Sequence, residues 1–259
     1  SFINFLFFHF PFFNFVFSNI DYKSFNGIII IISLVVAMIA ANFFAFYLFL
    51  FISRYFGKLL LILFFNINAL AIYFINTYSI IIDESMVGNV LNTNYDESSR
   101  FFSIKMVIYL IFLGILPSIY IIKTKIVNVS AKKFFKTFSL TLLFLLVLIF
   151  VNAGNWLWID KNSKTLRGLA MPWSYSVNTT LFYIHKHKRN EKEILLPKAI
   201  IKDHKKAVVI LVIGESARSE NFSLYGYRKN TNPYLSKTEN LYHFNATSSA
   251  TYTTGGVKA

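Results

Sequence analysis

Glu215 and a threonine cluster, Thr251 to Thr254, are the residues of this chain best suited to chemistry. Glu215 ends the apolar run AVVILVIG (207–214), and the threonines lie in FNATSSATYTTGG (244–256). A hydroxyl is a poor nucleophile at neutral pH because its pKa lies far above the medium. Coordination to a divalent metal lowers that pKa steeply. Such a metal needs anionic oxygen ligands, and a carboxylate fixed at the end of a strand suits zinc, at about 2.0–2.2 Å. A glutamate after a strand also serves as a helix N-terminal charge, and a threonine cluster as a turn or cap. Spacing alone leaves both readings open.

A second group is Asn89, Thr93 and Glu97 in MVGNVLNTNYDES. Steps of four residues drift only about 40° around a helix, so the spacing predicts one shared helical face. The competing reading is a polar outer loop with helix caps.

The elements that must position these residues are legible in the composition. The chain is 55% hydrophobic with positive mean hydropathy, and Phe alone supplies 30 of its 259 residues. A soluble domain of this size could not hide that much apolar surface. Residues 1–20, 25–53, 59–82, 106–122 and 137–159 contain no Lys, Arg, Asp or Glu. Each meets or approaches the roughly 20 residues needed to cross about 30 Å of hydrocarbon, so five spanning helices are expected over residues 1–159. The first lacks the basic n-region and cleavage site of a signal peptide.

Arg54 and Lys58 occupy one connection, and Lys123, Lys125, Lys132, Lys133 and Lys136 another. The remaining two connections hold Lys23, Arg100 and Lys105 against Asp21, Asp83, Glu84, Asp96 and Glu97. Basic connections stay cytoplasmic, so everything after Ile159 is expected outside. The formal charge of +14 is then topogenic or linker charge and calls for no nucleic acid. Trp156 and Trp158 fit an aromatic belt where the fifth span ends.

Residues 160–206 are polar and broken by Pro172 and Pro197, and they include a basic run, His185 to Arg189. They read equally as a solvated linker or as an interfacial segment with Leu181, Phe182 and Ile184 on its apolar side. His185, His187, His204 and His243 show no paired metal-ligand spacing. The run 207–213 reads as a strand buried on both faces of a mostly parallel sheet. It opens an α/β domain with Glu215 at the strand's carboxyl end, where functional residues collect. The absence of cysteine excludes a disulfide staple here. The start without Met and the stop at Ala259, inside a folding unit, read as a fragment of a longer protein.

VIGESARSENFSLYGY (212–227) closely resembles the V-x-G-E-[ST]-x-R…[LF]-x-G-Y signature of phosphoethanolamine transferases. These are membrane enzymes of the alkaline-phosphatase/sulfatase superfamily, among them lipid A modifying and mobile colistin-resistance types. Thr231-Asn-Pro233 resembles the family's T-x-P, and Phe244-Asn-Ala-Thr-Ser248 its F-x-N-V-x-S. The family's C-G-T-x-T falls on Ser249-Ala250-Thr251-Tyr252-Thr253, which places Thr253 on the nucleophile and Glu215 on a zinc ligand. Ser249 stands where the family often has a disulfide-bonded cysteine, which implies altered loop rigidity with the chemistry kept. TYSIIIDESMVGNVLNTNYDES (77–98) is similar to the family's Y-x-x-x-I-D-x-x-M-x-x-N-V-x-x-T-x-x-x-E. By resemblance Asn89, Thr93 and Glu97 line the cavity for a lipid headgroup, where a carboxylate and two hydrogen-bonding groups suit an ethanolammonium. The stretch 166–176 also resembles the family's post-membrane segment.

The resemblance implies an α-helical membrane domain of five transmembrane helices (1–159), a periplasmic linker or interfacial segment (160–206) and the truncated start of a periplasmic α/β sulfatase-like domain (207–259). It implies a bacterial inner-membrane enzyme. Thr253, with zinc, would take phosphoethanolamine from phosphatidylethanolamine and pass it to lipid A or another envelope acceptor. Further zinc ligands are expected beyond Ala259, and the 259 residues alone are expected to be inactive. A phosphoglycerol transferase of the same superfamily is the nearest alternative, although phosphoglycerol offers Glu97 no cation. A non-enzymatic transporter or sensor anchor is the other, and it predicts ionisable residues within the spans.

Overall fold

In the computed structural model, residues 1–190, 210, 218–244 and 247 are described, the side chains of 96, 97 and 188–190 excepted. The chain divides into two compact units, 1–195 and 196–259.

The first unit is helical. Its N-terminal apolar segment forms α1 (Phe2–Phe8) and α2 (Phe10–Asn19), bent by 64° at His9. The long helices α3 (Phe25–Ile52) and α4 (Arg54–Tyr78) follow. Then come α5 (Glu84–Asn92) and α6 (Tyr95–Ser99). Next, α7 (Ile104–Tyr109), a π-helical turn (Leu110–Ile115) and α8 (Leu116–Lys123) run on as one span. α9 (Ala131–Val151) is the last of the long apolar helices. α10 (Trp156–Lys161), α11 (Ser163–Leu169) and α12 (Trp173–Asn190) complete the unit.

Among the described residues four helices are long and apolar enough to cross a membrane, and the bent pair α1–α2 brings the count to five if it is one span. The bend at His9 is the departure from five continuous helices. Short polar residues start five of the helices: the side chains of Ser24, Ser53, Asp83, Ser103 and Ser130 each accept a first-turn backbone N–H. Such caps satisfy donors that no helical carbonyl reaches.

The phenylalanine excess has a packing purpose. Phe51 stacks on Phe134 at 3.7 Å between centroids, and Phe44 on Phe138 at 4.0 Å, joining α3 to α9. In lipid, where water does not drive helices together, such close packing is a main source of association, and each pair adds about 0.5–1.5 kcal/mol. Leu143, Phe144, Val147 and Phe150 of α9 stay exposed, as a lipid-facing surface requires.

The two basic connections meet at one end of the bundle. Lys58 Nζ donates to the carbonyls of Ile122 (2.9 Å) and Thr124 (2.7 Å), and Arg54 to that of Ile126 (3.3 Å).

The stretch around the start of α12 packs into the bundle. Leu166, Leu169, Ala170 and Met171 are buried in one core with Phe8, Phe12, Phe65 and Ile72. The turn between α11 and α12 enters the bundle against the middle of α4. There Asn68 donates to Asn4 Oδ1 (2.8 Å) and accepts from the Tyr175 hydroxyl (3.0 Å), while Asn4 donates to the Met171 carbonyl (3.3 Å). Non-helical backbone is tolerated at that depth only where protein groups satisfy it, and Asn4 supplies that partner.

Candidate functional site

The segment with the resemblance to a headgroup-binding motif folds as α5, and three contacts seat it on α11 and α12. Asp83 works twice: one carboxylate oxygen caps the amide of Met86 at 2.9 Å, and the other lies 3.0 Å from Lys164 Nζ. Glu84 Oε2 stands 2.8 Å from His185 Nδ1, an ion pair when the ring is protonated and a hydrogen bond otherwise. Between them Gly88 faces the Phe182 ring so closely that an added Cβ would stand 3.0 Å from the ring. Only glycine lets α5 approach α12 without displacing that ring.

Backbone pairing reinforces the seat. The Ile82 amide donates to the Gly168 carbonyl at 3.1 Å, and Asn178 Nδ2 donates to the Ile82 carbonyl at 2.7 Å. Residues 82–88 are thereby zipped to two elements that lie about a hundred positions later in sequence.

Asn89 is exposed and Thr93 half-buried, one turn apart at the end of α5. The Asn89 carbonyl accepts from both the amide (2.9 Å) and the hydroxyl (2.7 Å) of Thr93. The helix stops there, since Thr93 is extended at φ −69°, ψ 132°. Glu97 belongs to the separate short helix α6, so the single continuous face predicted for Asn89, Thr93 and Glu97 is interrupted between the second and third. The cause lies in Asn92-Thr93-Asn94: such side chains compete for backbone groups and favour helix ends. Asn92 donates back to the Gly88 carbonyl at 2.8 Å. The Glu97 side chain lies outside the described set.

Glu215, Thr253 and the strand expected at 207–213 also fall outside the described residues, Ile210 excepted. What is described of the second unit is the segment that follows the glutamate. Thr231 Oγ1 donates to the Asn221 carbonyl (2.7 Å) and accepts from the Ser223 amide (3.0 Å), while the Asn232 amide donates to Ser223 Oγ (3.1 Å). Gly226 has φ +94°, a backbone state that side-chain-bearing residues avoid. The Tyr225 hydroxyl donates to the Phe244 carbonyl at 3.1 Å. The T-N-P and L-Y-G-Y motifs therefore tie the chain on itself. Among the described residues no three His, Cys, Asp or Glu side chains gather to hold a metal ion.

Sequence reading missed Asp83, Lys164 and His185 as partners, and nothing local signals them. The three lie on different elements, and His185 meets Glu84 across 101 positions.

The family model for phosphoethanolamine transferase EptA/EptB matches residues 38–187, and that for sulfatase matches 207–259. Phosphoethanolamine transferase EptA of Helicobacter pylori is 38% identical over 240 residues, covering 92% of this chain and 46% of that protein. EptA of Escherichia coli K12 is 30% identical over 202 residues (74% and 37%), and phosphatidylethanolamine transferase Mcr-1 of Escherichia coli 28% over 215 residues (77% and 39%). The chain thus spans less than half the length of these curated relatives. Its fold is like that of the integral membrane lipooligosaccharide phosphoethanolamine transferase A of Neisseria meningitidis. The TM-score is 0.74 at 23% identity, over 91% of this chain and 45% of that one. With more than half of its residues inside the first of these family models, the chain belongs to the EptA/EptB phosphoethanolamine transferase family.

Proposed function

We propose that the full-length protein transfers phosphoethanolamine from phosphatidylethanolamine to lipid A or another envelope acceptor, working at the outer face of a bacterial inner membrane. The observation that carries this reading is the seating of α5, with Asn89 and Thr93 at its end, on α12. The chain continues from α12 into the sulfatase-family segment.

In this reading Asn89 and Thr93 accept and donate hydrogen bonds to the ethanolammonium and phosphate, and Glu97 supplies the opposite charge. Thr253 Oγ forms a bond to the phosphorus, and the bond to the diacylglycerol oxygen breaks. The hydroxyl proton ends on the departing diacylglycerol. The acceptor oxygen then attacks the same phosphorus, the bond to Thr253 Oγ breaks, and the acceptor's proton returns to that Oγ. Glu215 and Thr253 are hard oxygen donors, a chemistry that fits a divalent cation, and they would hold the zinc. When bound, that zinc would lower the threonine pKa and neutralise charge on the phosphoryl oxygens. Adding ethanolammonium to the outer surface would reduce its negative charge and its attraction for cationic peptides.

The test uses the full-length protein in proteoliposomes with phosphatidylethanolamine labelled in its headgroup. Label should reach lipid A in the wild type, and Asn89→Ala and Thr93→Ala should raise the donor KM. Transfer of glycerol label from phosphatidylglycerol in place of ethanolamine would refute the assignment.

A further inference from the structure

At the basic end of the bundle, far along α4 from the candidate site, a cavity of about 360 Å³ opens between the α3–α4 joint and the connection after α8. Tyr47, Leu50, Ser53, Arg54, Tyr55 and Val127 contribute to its wall. We propose that it holds the headgroup of an anionic phospholipid, with Arg54 on the phosphate.

Four observations carry this. The two connections at this end, 53–58 and 123–136, contain seven basic side chains and no carboxylate, so no anion of the protein competes locally. Topology alone explains basic charge at this end, but it does not explain a cavity with an arginine in its wall. Among the described residues the Arg54 guanidinium makes a single hydrogen bond, the 3.3 Å contact to the Ile126 carbonyl. A guanidinium has five N–H donors in a fork suited to phosphate. Lys58, by contrast, is committed to two carbonyls at the end of α8.

The cavity also lies at the first turn of α4, capped by Ser53, where the helix dipole favours an anion. Finally, its rim is apolar: Ile52 and Val127 are 65% and 81% exposed, and Phe51 belongs to the same wall. A phosphate with acyl chains attached satisfies both Arg54 and this rim. A free phosphate satisfies only Arg54. Basic pockets between helices at a membrane face recognise anionic headgroups for these reasons.

The test is native mass spectrometry of the detergent-solubilised chain incubated with equimolar phosphatidylglycerol and phosphatidylcholine. Preferential retention of phosphatidylglycerol is expected. Arg54→Gln should weaken it about tenfold, the effect of removing a charge-assisted hydrogen bond. Lys136→Gln, outside the cavity, should leave retention unchanged. Val127→Trp should block the cavity with every charge kept, and it reports even if Arg54→Gln does not fold. Equal losses from Arg54→Gln and Lys136→Gln would mean a diffuse field and no site. Absence of preference, or displacement of the lipid by inorganic phosphate, would overturn the proposal.

Discussion

The carboxylate of Glu84 lies 2.8 Å from the ring of His185, a pair 101 residues apart that fixes the start of one helix to the far half of another. Both helices matter to the proposed chemistry. α5 presents Asn89 and Thr93, and the chain runs on from α12 to the sulfatase-family residues. The pair is partly exposed, so its direct contribution to stability is about 0.2–1 kcal/mol. Its value lies in position. Glu84→Gln and His185→Gln should each raise the donor KM a few-fold while leaving kcat nearly unchanged. The double variant should lose less than the sum of the two. Additive losses would show that the pair does not act as a unit.

Gly88 is the sharper probe of the same seat. An added Cβ would stand 3.0 Å from the Phe182 ring, so Gly88→Val should push α5 off α12 and cost about 1–3 kcal/mol. Phe182→Leu in the same chain should recover part of that loss and part of the donor KM. Thermal unfolding of the detergent-solubilised chain, with and without the second change, measures it. No recovery would place the cost elsewhere.

Asn68 joins three elements at the middle of the bundle. Asn68→Leu would leave the Tyr175 hydroxyl without its acceptor and Asn4 Oδ1 without its donor, at a cost of about 1–3 kcal/mol. Asn14→Leu, at an exposed position on α2, should change Tm little. Equal shifts in the two variants would contradict a structural role for the buried network.

The spans were legible because their signal is local: charge-free apolar runs long enough to cross a bilayer. The shared end of the two basic connections was legible too, since topology alone demands it. Long-range pairing was not. Nothing near Met171 or Tyr175 says that their turn enters the bundle to meet Asn4 and Asn68, and residues 160–206 read equally as a solvated linker or an interfacial segment. The four-residue rhythm of Asn89, Thr93 and Glu97 misled for a different reason. Periodicity reports where side chains would lie if the helix continued, and it cannot see that Asn92 and Thr93 bond back to Gly88 and Asn89 and end the helix there.

The central claim is that one threonine carries the phosphoethanolamine between donor and acceptor, with zinc held in part by Glu215. The direct measurement is peptide mass spectrometry of the full-length protein after exposure to phosphatidylethanolamine without acceptor. A phosphoethanolamine ester on Thr253 is predicted. It should be absent from Thr253→Ala, present in Thr254→Ala, and lost on chelation and in Glu215→Ala. An adduct on Thr254 alone, or undiminished transfer by Thr253→Ala, would contradict the account.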